Sequence, residues 1–175
     1  LPDPGFPSYE ALVRFFGAVP KDIALRERNA FSFDIPSFRR ALSLKTKLII
    51  INSPGNPTGG VVGMDDLKAI ASLVSGSSAW VLSDEIYSQI AYEKDGAPTN
   101  AAIPAKRDRT ILVDGFSKTF AMTGWRLGFV RGPLRFVDRV STILTHTVGC
   151  TAAFTQYAGI QALASGKKST AAMVG

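Results

Sequence analysis

Cysteine and histidine are almost missing from this sequence, because Cys150 and His146 are the single representatives of their types. One cysteine cannot form an internal disulfide, and it fits a reducing compartment such as the cytoplasm. Zinc sites need several cysteine or histidine ligands, so a Cys-based zinc site and a His-based metal cluster are both excluded. We therefore expect a cytoplasmic protein without a metal centre.

Long hydrophobic runs are also missing, since no stretch approaches the roughly 18 uncharged apolar residues that a membrane span needs. We expect no membrane association. The chain begins Leu1-Pro2-Asp3, without an initiator methionine or a signal-like segment, which indicates a piece cut from a longer protein. Its 175 residues, 46% hydrophobic and 19% charged, are enough for one globular domain with a real core.

The formal net charge of +6 raises the question of a nucleic-acid partner. The basic residues come as scattered pairs, such as Arg39 with Arg40 and Lys167 with Lys168, and not as one stripe. Scattered pairs favour an ordinary solvated surface over a binding surface, and truncation of a longer chain would also leave such an imbalance. We expect no nucleic-acid partner.

Short apolar runs alternate with helical patterns along the chain. The runs predict strands at residues 18–25, 47–52, 79–84, 110–114 and 125–130. Helical spacing of apolar residues predicts helices near residues 8–17, 34–42, 65–75, 134–147 and 154–164. In the third of these, the apolar stripe consists of Leu67, Ile70, Ala71 and Val74. Strands that alternate with helices favour an α/β fold, a three-layer sandwich with a mostly parallel sheet.

Several residues look like helix boundaries. Ser8 and Asp34 are side chains that can accept a hydrogen bond from the first turn, so we expect each to cap a helix. Gly17 and Gly166 fit stop signals. The small and polar end, residues 169–175, is expected to fray.

The unusual polar segments follow the predicted strands. They read NSPGNPTGG at residues 52–60, SDEIY at 83–87 and GFSKTFAMTGWRLGF at 115–129. Because ligand crevices of α/β sheets form outside the carboxyl ends of the strands, these segments are the expected binding site.

In this order and spacing, together with DPGFPSY at residues 3–9, the segments resemble the fold-type I pyridoxal-phosphate (PLP) aminotransferases of the class I/II family. The resemblance extends over nearly the whole chain, to the helix around Gln156. It implies a large PLP-binding domain, amino acid and 2-oxo acid substrates, and a homodimer. The helix from Leu134 and residues 146–156 are expected near the dimer interface.

The resemblance also implies catalytic roles. Lys118 would hold PLP through an imine and later carry the proton between the substrate and the cofactor. Asp84 would pair with the ring nitrogen, and Tyr87 with Asn56 would hydrogen-bond the 3-hydroxyl. Taken alone, Lys118 could be an exposed loop lysine, Asp84 a helix cap and Asn56 a turn residue.

The remaining implied contacts concern the phosphate and the ring face. Ser117 and Arg126 would bind the phosphate, because a guanidinium offers a bidentate fork and a hydroxyl adds a neutral donor. Phe6 would stack on the ring, although a core phenylalanine is an equally good reading of that position.

The family chain is about twice as long, and this chain lacks its phosphate-binding loop and the C-terminal small domain with its carboxylate-binding arginine. We therefore expect a partial large domain that is inactive as a transaminase by itself. Two other functions stay open, namely another fold-type I PLP enzyme (a β-lyase or a synthase) and a PLP-sensing transcription regulator. The identity of the substrate amino acid is not predicted.

Overall fold

The chain forms a four-stranded sheet and a small two-stranded one, in a computed structural model that describes residues 1–92, 96–100 and 108–175. The strands in these residues are β1 (Pro2–Asp3), β2 (Ile23–Ala24), β3 (Leu48–Asn52), β4 (Trp80–Asp84), β5 (Thr110–Gly115) and β6 (Gly128–Arg131). The larger sheet has the order β3-β4-β5-β6, and β1 pairs with β2. Strands β3, β4 and β5 are parallel, whereas β6 is antiparallel to β5, so the sheet is mostly parallel as predicted.

Helices connect and cover these strands. Their bounds are α1 (Pro7–Phe15), α2 (Ile35–Ala41), α3 (Met64–Ser75), α4 (Phe116–Thr119), α5 (Leu134–Thr147), α6 (Ala153–Ser165) and α7 (Lys167–Val174). In the part of the chain that the structure describes, no helix combines the length and apolarity needed to cross a bilayer.

One face of the sheet is closed by α2 and α3. The predicted apolar stripe of α3 is buried in full, and its members are Leu67, Ile70, Ala71 and Val74. These side chains pack with Ile49 and Ile51 of β3 in the same core cluster. Burial of one such side chain contributes roughly 1.5–3 kcal/mol, so this face is the main source of stability.

The other face of the sheet carries α5. In β4, Val81 belongs to the cluster under α3, and neighbouring residues of a strand point to opposite faces. Trp80 therefore points away from α3, and its ring lies 6.0 Å from that of Phe136 on α5. Helices on both faces of the sheet make the predicted three-layer arrangement.

Two predictions about helix ends are wrong. Ser8 does not cap α1, because the helix begins at Pro7 with Phe6 as the N-cap and has no side-chain cap bond. Proline at the first helical position needs no donor there and already has a helical φ. Residues 169–174 of the end that we expected to fray belong to α7, where the buried Thr170 donates to the Thr119 carbonyl at 2.8 Å. Gly166 is the C-cap of α6, as predicted, and α7 begins at the next residue.

Two predicted strands are shorter than expected. Of residues 18–25, only Ile23–Ala24 form a strand. The strand predicted at 125–130 begins at Gly128, because Trp125 ends a short 3-10 turn and Arg126 has a positive φ of 52°. A left-handed residue interrupts strand geometry, so local apolarity was a poor guide there.

Candidate active site

The ends of the parallel strands bring the three polar segments to one edge of the sheet. Asn52 at the end of β3 is in register with Asp84 at the end of β4, and Asp84 is in register with Val113 of β5. Parallel strands place their carboxyl ends together, so residues 52–60, 83–87 and 115–119 meet there. This is the edge that the sequence predicted.

Asp84 lies at the centre of this edge, and its carboxylate accepts two hydrogen bonds from described residues. Its Oδ1 atom accepts from the Ile86 backbone N–H at 3.2 Å, and its Oδ2 atom accepts from the Tyr9 hydroxyl at 2.6 Å. Burial, together with the hydrogen bond to Asp84, raises the pKa of the Tyr9 phenol above its ordinary value. The phenol therefore keeps its proton and remains a donor.

Asn56 and Tyr87 approach each other from neighbouring strand ends. The Asn56 backbone N–H donates to Asn52 Oδ1 at 2.8 Å, and Asn52 Nδ2 donates to the Asp84 carbonyl at 3.2 Å. The Asn56 side-chain amide lies 3.5 Å from the Tyr87 hydroxyl, at the long limit of a hydrogen bond. These bonds fix the loop after β3 against the end of β4.

Lys118 reaches the same cluster from α4, the one-turn helix that follows β5. Its Nζ atom lies 5.7 Å from the centre of the Tyr87 ring, within the range of a cation–π contact. A Cβ at Gly115 would lie 3.0 Å from the Leu127 carbonyl oxygen, so a larger residue would require the neighbouring backbone to move where α4 begins. The backbone N–H of Phe116 donates to that same carbonyl at 3.1 Å, which anchors the helix.

Three carboxylates crowd this edge, from Asp84, Glu85 and Asp114. Glu85 is buried, and its Oε1 atom accepts from the Ser83 hydroxyl at 2.8 Å and the Asn100 backbone N–H at 3.0 Å. Burial raises the pKa of Asp114, and the nearby Glu85 and Asp84 carboxylates act in the same direction, against the hydrogen bond from the Gly115 N–H. Within residues 1–92, 96–100 and 108–175, none of the three carboxylates forms a salt bridge.

The other predicted residues make their described contacts with residues outside the group of Asn56, Tyr87 and Lys118. Phe6 is 42% exposed, and its ring packs edge-on to Tyr9 with centroids 5.6 Å apart. Ser117 is half-buried, directly before Lys118. Arg126 is exposed, and its guanidinium donates to the Thr123 carbonyl at 3.0 Å inside its own turn.

A cavity of about 300 Å³ opens beside Asn56 and Tyr87. Its walls come from the loop at residues 54–61 and from residues 87–92. The lining is mostly proline, glycine and aliphatic side chains, with Tyr87 and Tyr92 as the aromatic residues. A largely apolar cavity with a few polar groups is the usual form of a small-molecule site.

Sequence reasoning did not single out Tyr9, Asn52 or Asp114. Tyr9 belongs to the segment at residues 3–9 that carried part of the resemblance. Its place in that segment was the signal that could have indicated a role at the site. Asp114 precedes the segment at 115–129 and was read as the last residue of a strand. The contact of Tyr9 with Asp84 joins residues 75 positions apart, which no local pattern encodes.

Comparison with known proteins defines the class. The family model described as "Aminotransferase class I and II" matches residues 1–174. The chain belongs to this family, whose members depend on pyridoxal phosphate.

Individual relatives have the same character. The chain is 39% identical over 163 residues to an aspartate aminotransferase of Pyrococcus abyssi, covering 93% of this chain and 42% of that protein. It is 37% identical over 163 residues to aromatic-amino-acid aminotransferase 2 of Thermococcus litoralis, with 93% and 42% covered. The crystal structure of an aromatic aminotransferase from Pyrococcus horikoshii superposes with a TM-score of 0.91 at 37% identity, covering 99% of this chain and 46% of that one. The chain thus spans less than half the length of these relatives.

Proposed function

We propose that the complete protein containing this chain transfers an amino group between an amino acid and a 2-oxo acid. The observation that carries the proposal is the cluster of Lys118, Tyr87 and Asn56 beside Asp84, at the carboxyl ends of three parallel strands. The relatives are named as aminotransferases, which favours transfer over a lyase, a synthase or a regulator.

The donor set at this edge fits pyridoxal phosphate. The cluster offers a primary amine, two hydrogen-bonding groups that approach each other, and carboxylates without a cationic partner among the described residues. A protonated pyridine ring would supply the missing positive charge. When bound, the cofactor supplies an aldehyde that takes up the amino group and a ring that withdraws electrons from the substrate's α-carbon.

Each residue of the cluster then has a proposed role. The Lys118 amine would bind the cofactor aldehyde and, once displaced by the substrate, would move a proton at the α-carbon. The Asp84 carboxylate would hold the proton on the ring nitrogen, since an opposite charge favours the charged form. Tyr87 and Asn56 would donate to the 3-hydroxyl oxygen.

The outer residues have proposed binding roles. Ser117 and Arg126 would bind the phosphate, which requires Arg126 to leave the Thr123 carbonyl for a stronger, charge-assisted partner. Phe6 would cover one face of the ring, where its exposed edge is available. The division into a partial large domain here and a small domain elsewhere stays a proposal, as does the homodimer.

The test is chemical trapping at Lys118 in the complete protein. After incubation with pyridoxal phosphate and reduction with borohydride, peptide mapping should find the cofactor on Lys118. Lys118→Ala should abolish both the label and the visible absorbance of the bound cofactor. Lys68→Ala is the matched control, because Lys68 is a surface lysine on α3 that pairs with Asp65.

The reaction is tested with a panel of amino donors and 2-oxoglutarate. We expect amino transfer with at least one donor, and the panel includes aspartate and aromatic amino acids because relatives carry those names. Labelling of another lysine, or unchanged labelling in Lys118→Ala, would overturn the assignment. Elimination or condensation without amino transfer would overturn the reaction while leaving the cofactor site in place.

A further inference from the structure

Asp84 has one side-chain hydrogen-bond partner that the proposed function leaves without a role. The Tyr9 hydroxyl donates to Asp84 Oδ2 at 2.6 Å, the distance expected when a hydroxyl donates to a carboxylate. The other carboxylate oxygen is bound by the Ile86 N–H within the same segment of chain. Tyr9 therefore supplies the contact that joins Asp84 to a different element, α1.

Tyr9 is itself held in place from two sides. Pro7 starts α1, and the Phe6 ring packs edge-on against the Tyr9 ring at 5.6 Å. The preceding strand β1 is paired with β2. No residue of α1 is fully buried, and the half-buried Tyr9 bonds to Asp84 at the end of β4.

The bond has a fixed polarity. Burial and the Asp84 carboxylate raise the pKa of the Tyr9 phenol, so Tyr9 donates and Asp84 accepts over the working pH range. A donor to a carboxylate stabilises its charged form and fixes the direction of its free lone pairs.

We propose that Tyr9 is a positioning residue that holds Asp84 in the orientation and charge state needed to face the cofactor's ring nitrogen. The proposal rests on the proposed function, because it assigns the ring nitrogen to Asp84. Tyr9 would not touch the reacting atoms, and it would act through Asp84 alone.

Other charged and titratable groups face this carboxylate. Tyr87 comes from the segment after β4, Asp114 from β5, and Glu85 is the next residue in the chain. The Asp114 carboxylate repels a negative charge on Asp84, whereas Tyr9 donates a hydrogen bond to it. Loss of the Tyr9 hydroxyl therefore removes a stabilising contact from a crowded group of acids.

The first experiment removes one oxygen atom in the complete protein. Tyr9→Phe keeps the ring that packs on Phe6, and Tyr157→Phe on the exposed side of α6 is the matched control. We expect the affinity for pyridoxal phosphate to fall by about tenfold in Tyr9→Phe, as for one lost hydrogen bond to a charged group, and to be unchanged in the control.

The second readout separates positioning from simple structural support. The absorbance of the lysine-bound cofactor changes with pH. The pH at the midpoint of this change depends on the charge at the ring nitrogen. Without the Tyr9 hydroxyl, the Asp84 carboxylate would be more basic and would draw the proton from the ring nitrogen. A neutral ring makes the imine more basic, so the midpoint should move to higher pH in Tyr9→Phe. A fluorotyrosine placed at position 9 is a stronger donor, and it should move the midpoint to lower pH without removing any contact.

A double-mutant cycle tests whether Tyr9 acts through Asp84. In an Asp84→Ala background, Tyr9→Phe should change neither the affinity nor the midpoint further. An equal loss in that background, or a weaker affinity with an unmoved midpoint, would overturn the positioning role. Tyr9→Phe behaving like Tyr157→Phe would do the same, while borohydride labelling of Lys118 would still support the proposed function. Failure of the unsubstituted protein to bind the cofactor would overturn both.

Discussion

Helices α3 and α6 are similarly apolar but are covered very differently. Beneath α3, Leu67 and Val74 have no exposed surface. In α6, by contrast, the side chains of Ile160 and Leu163 are 63% and 62% exposed. Apolar composition thus predicts that a helix has a face to bury, but it does not say what buries that face.

Helices α5 and α6 together form a poorly covered surface, called here the open side. Helix α5 has no buried residue, and α6 buries only Thr155 and Gly159. Gly159 lies where a side chain would meet Leu127 at 2.5 Å, so α6 is closely packed at that one point. Exposed apolar patches of this kind mark surfaces that meet another protein surface. This agrees with the expected interface near residues 134–156, which stays a prediction.

The largest expected effect is on the free energy of unfolding, when one leucine is replaced by alanine in α3 and one in α6. Leu67→Ala should lower the free energy of unfolding by about 2–5 kcal/mol, because it opens a cavity in a closed core. Leu163→Ala should change it by less than about 0.5 kcal/mol, because that side chain is already largely in water. Urea unfolding of the 175-residue chain, monitored by circular dichroism, measures both.

Protein concentration sharpens this comparison. A Leu163→Ala effect that grows with concentration would show that association buries α6. A Leu163→Ala effect as large as that of Leu67→Ala in dilute solution would contradict the open arrangement.

The second effect concerns association itself. We expect the chain to self-associate through the open side, and Ile143→Glu combined with Ile160→Glu should weaken association by about tenfold or more. Both isoleucines are at least 60% exposed, so the substitutions should leave the fold intact. Gln161→Glu adds one negative charge at a polar position of α6, as Ile160→Glu alone does, and serves as the control for that substitution.

Light scattering over a range of concentrations gives the measurement. A monomer in the unsubstituted chain, or equal association in all variants, would show that this side does not drive contact between copies.

The sequence was most informative where one apolar pattern meets one buried surface. The stripe of α3 was predicted residue by residue, and the parallel strands β3 to β5 followed from short runs such as the three isoleucines from Ile49 to Ile51. In these elements local periodicity and tertiary burial impose the same requirement. The shared edge that carries Asn56, Asp84 and Lys118 followed from the positions of these segments after strands of a mostly parallel sheet.

Sequence patterns failed where distant parts of the chain decide the conformation. Arg126 lies in a run that is apolar enough for a strand, yet it adopts a left-handed turn before β6 pairs with β5. Tyr9 lies on a helix whose apolar positions are mostly exposed, and its partner is on a strand far along the chain. Such contacts depend on the assembled sheet, so no local spacing reveals them.

The smallest expected effect is on the urea midpoint, when the first turns of α1 and α2 are altered. Asp34 caps α2 by accepting the Ser37 N–H at 2.9 Å, whereas Ser8 of α1 makes no cap bond. The hydrogen bonds from Ser37 hold the pKa of Asp34 below its ordinary value. Asp34→Ala should therefore lower the urea midpoint at pH 7, and Ser8→Ala should leave it nearly unchanged. Equal midpoints in the two variants would contradict the difference between the helices.

The acid dependence of this cap has a definite sign. Because the pKa of Asp34 is lower in the folded chain than in the unfolded one, the charge stabilises the fold above the unfolded value. That stability is lost as the pH falls from about 4, the ordinary value for aspartate, through the lower folded value. Asp34→Asn keeps a capping oxygen without a charge, so its urea midpoint should fall less steeply between these values. Parallel pH profiles for the unsubstituted chain and Asp34→Asn would show that the carboxylate charge contributes nothing to the start of α2.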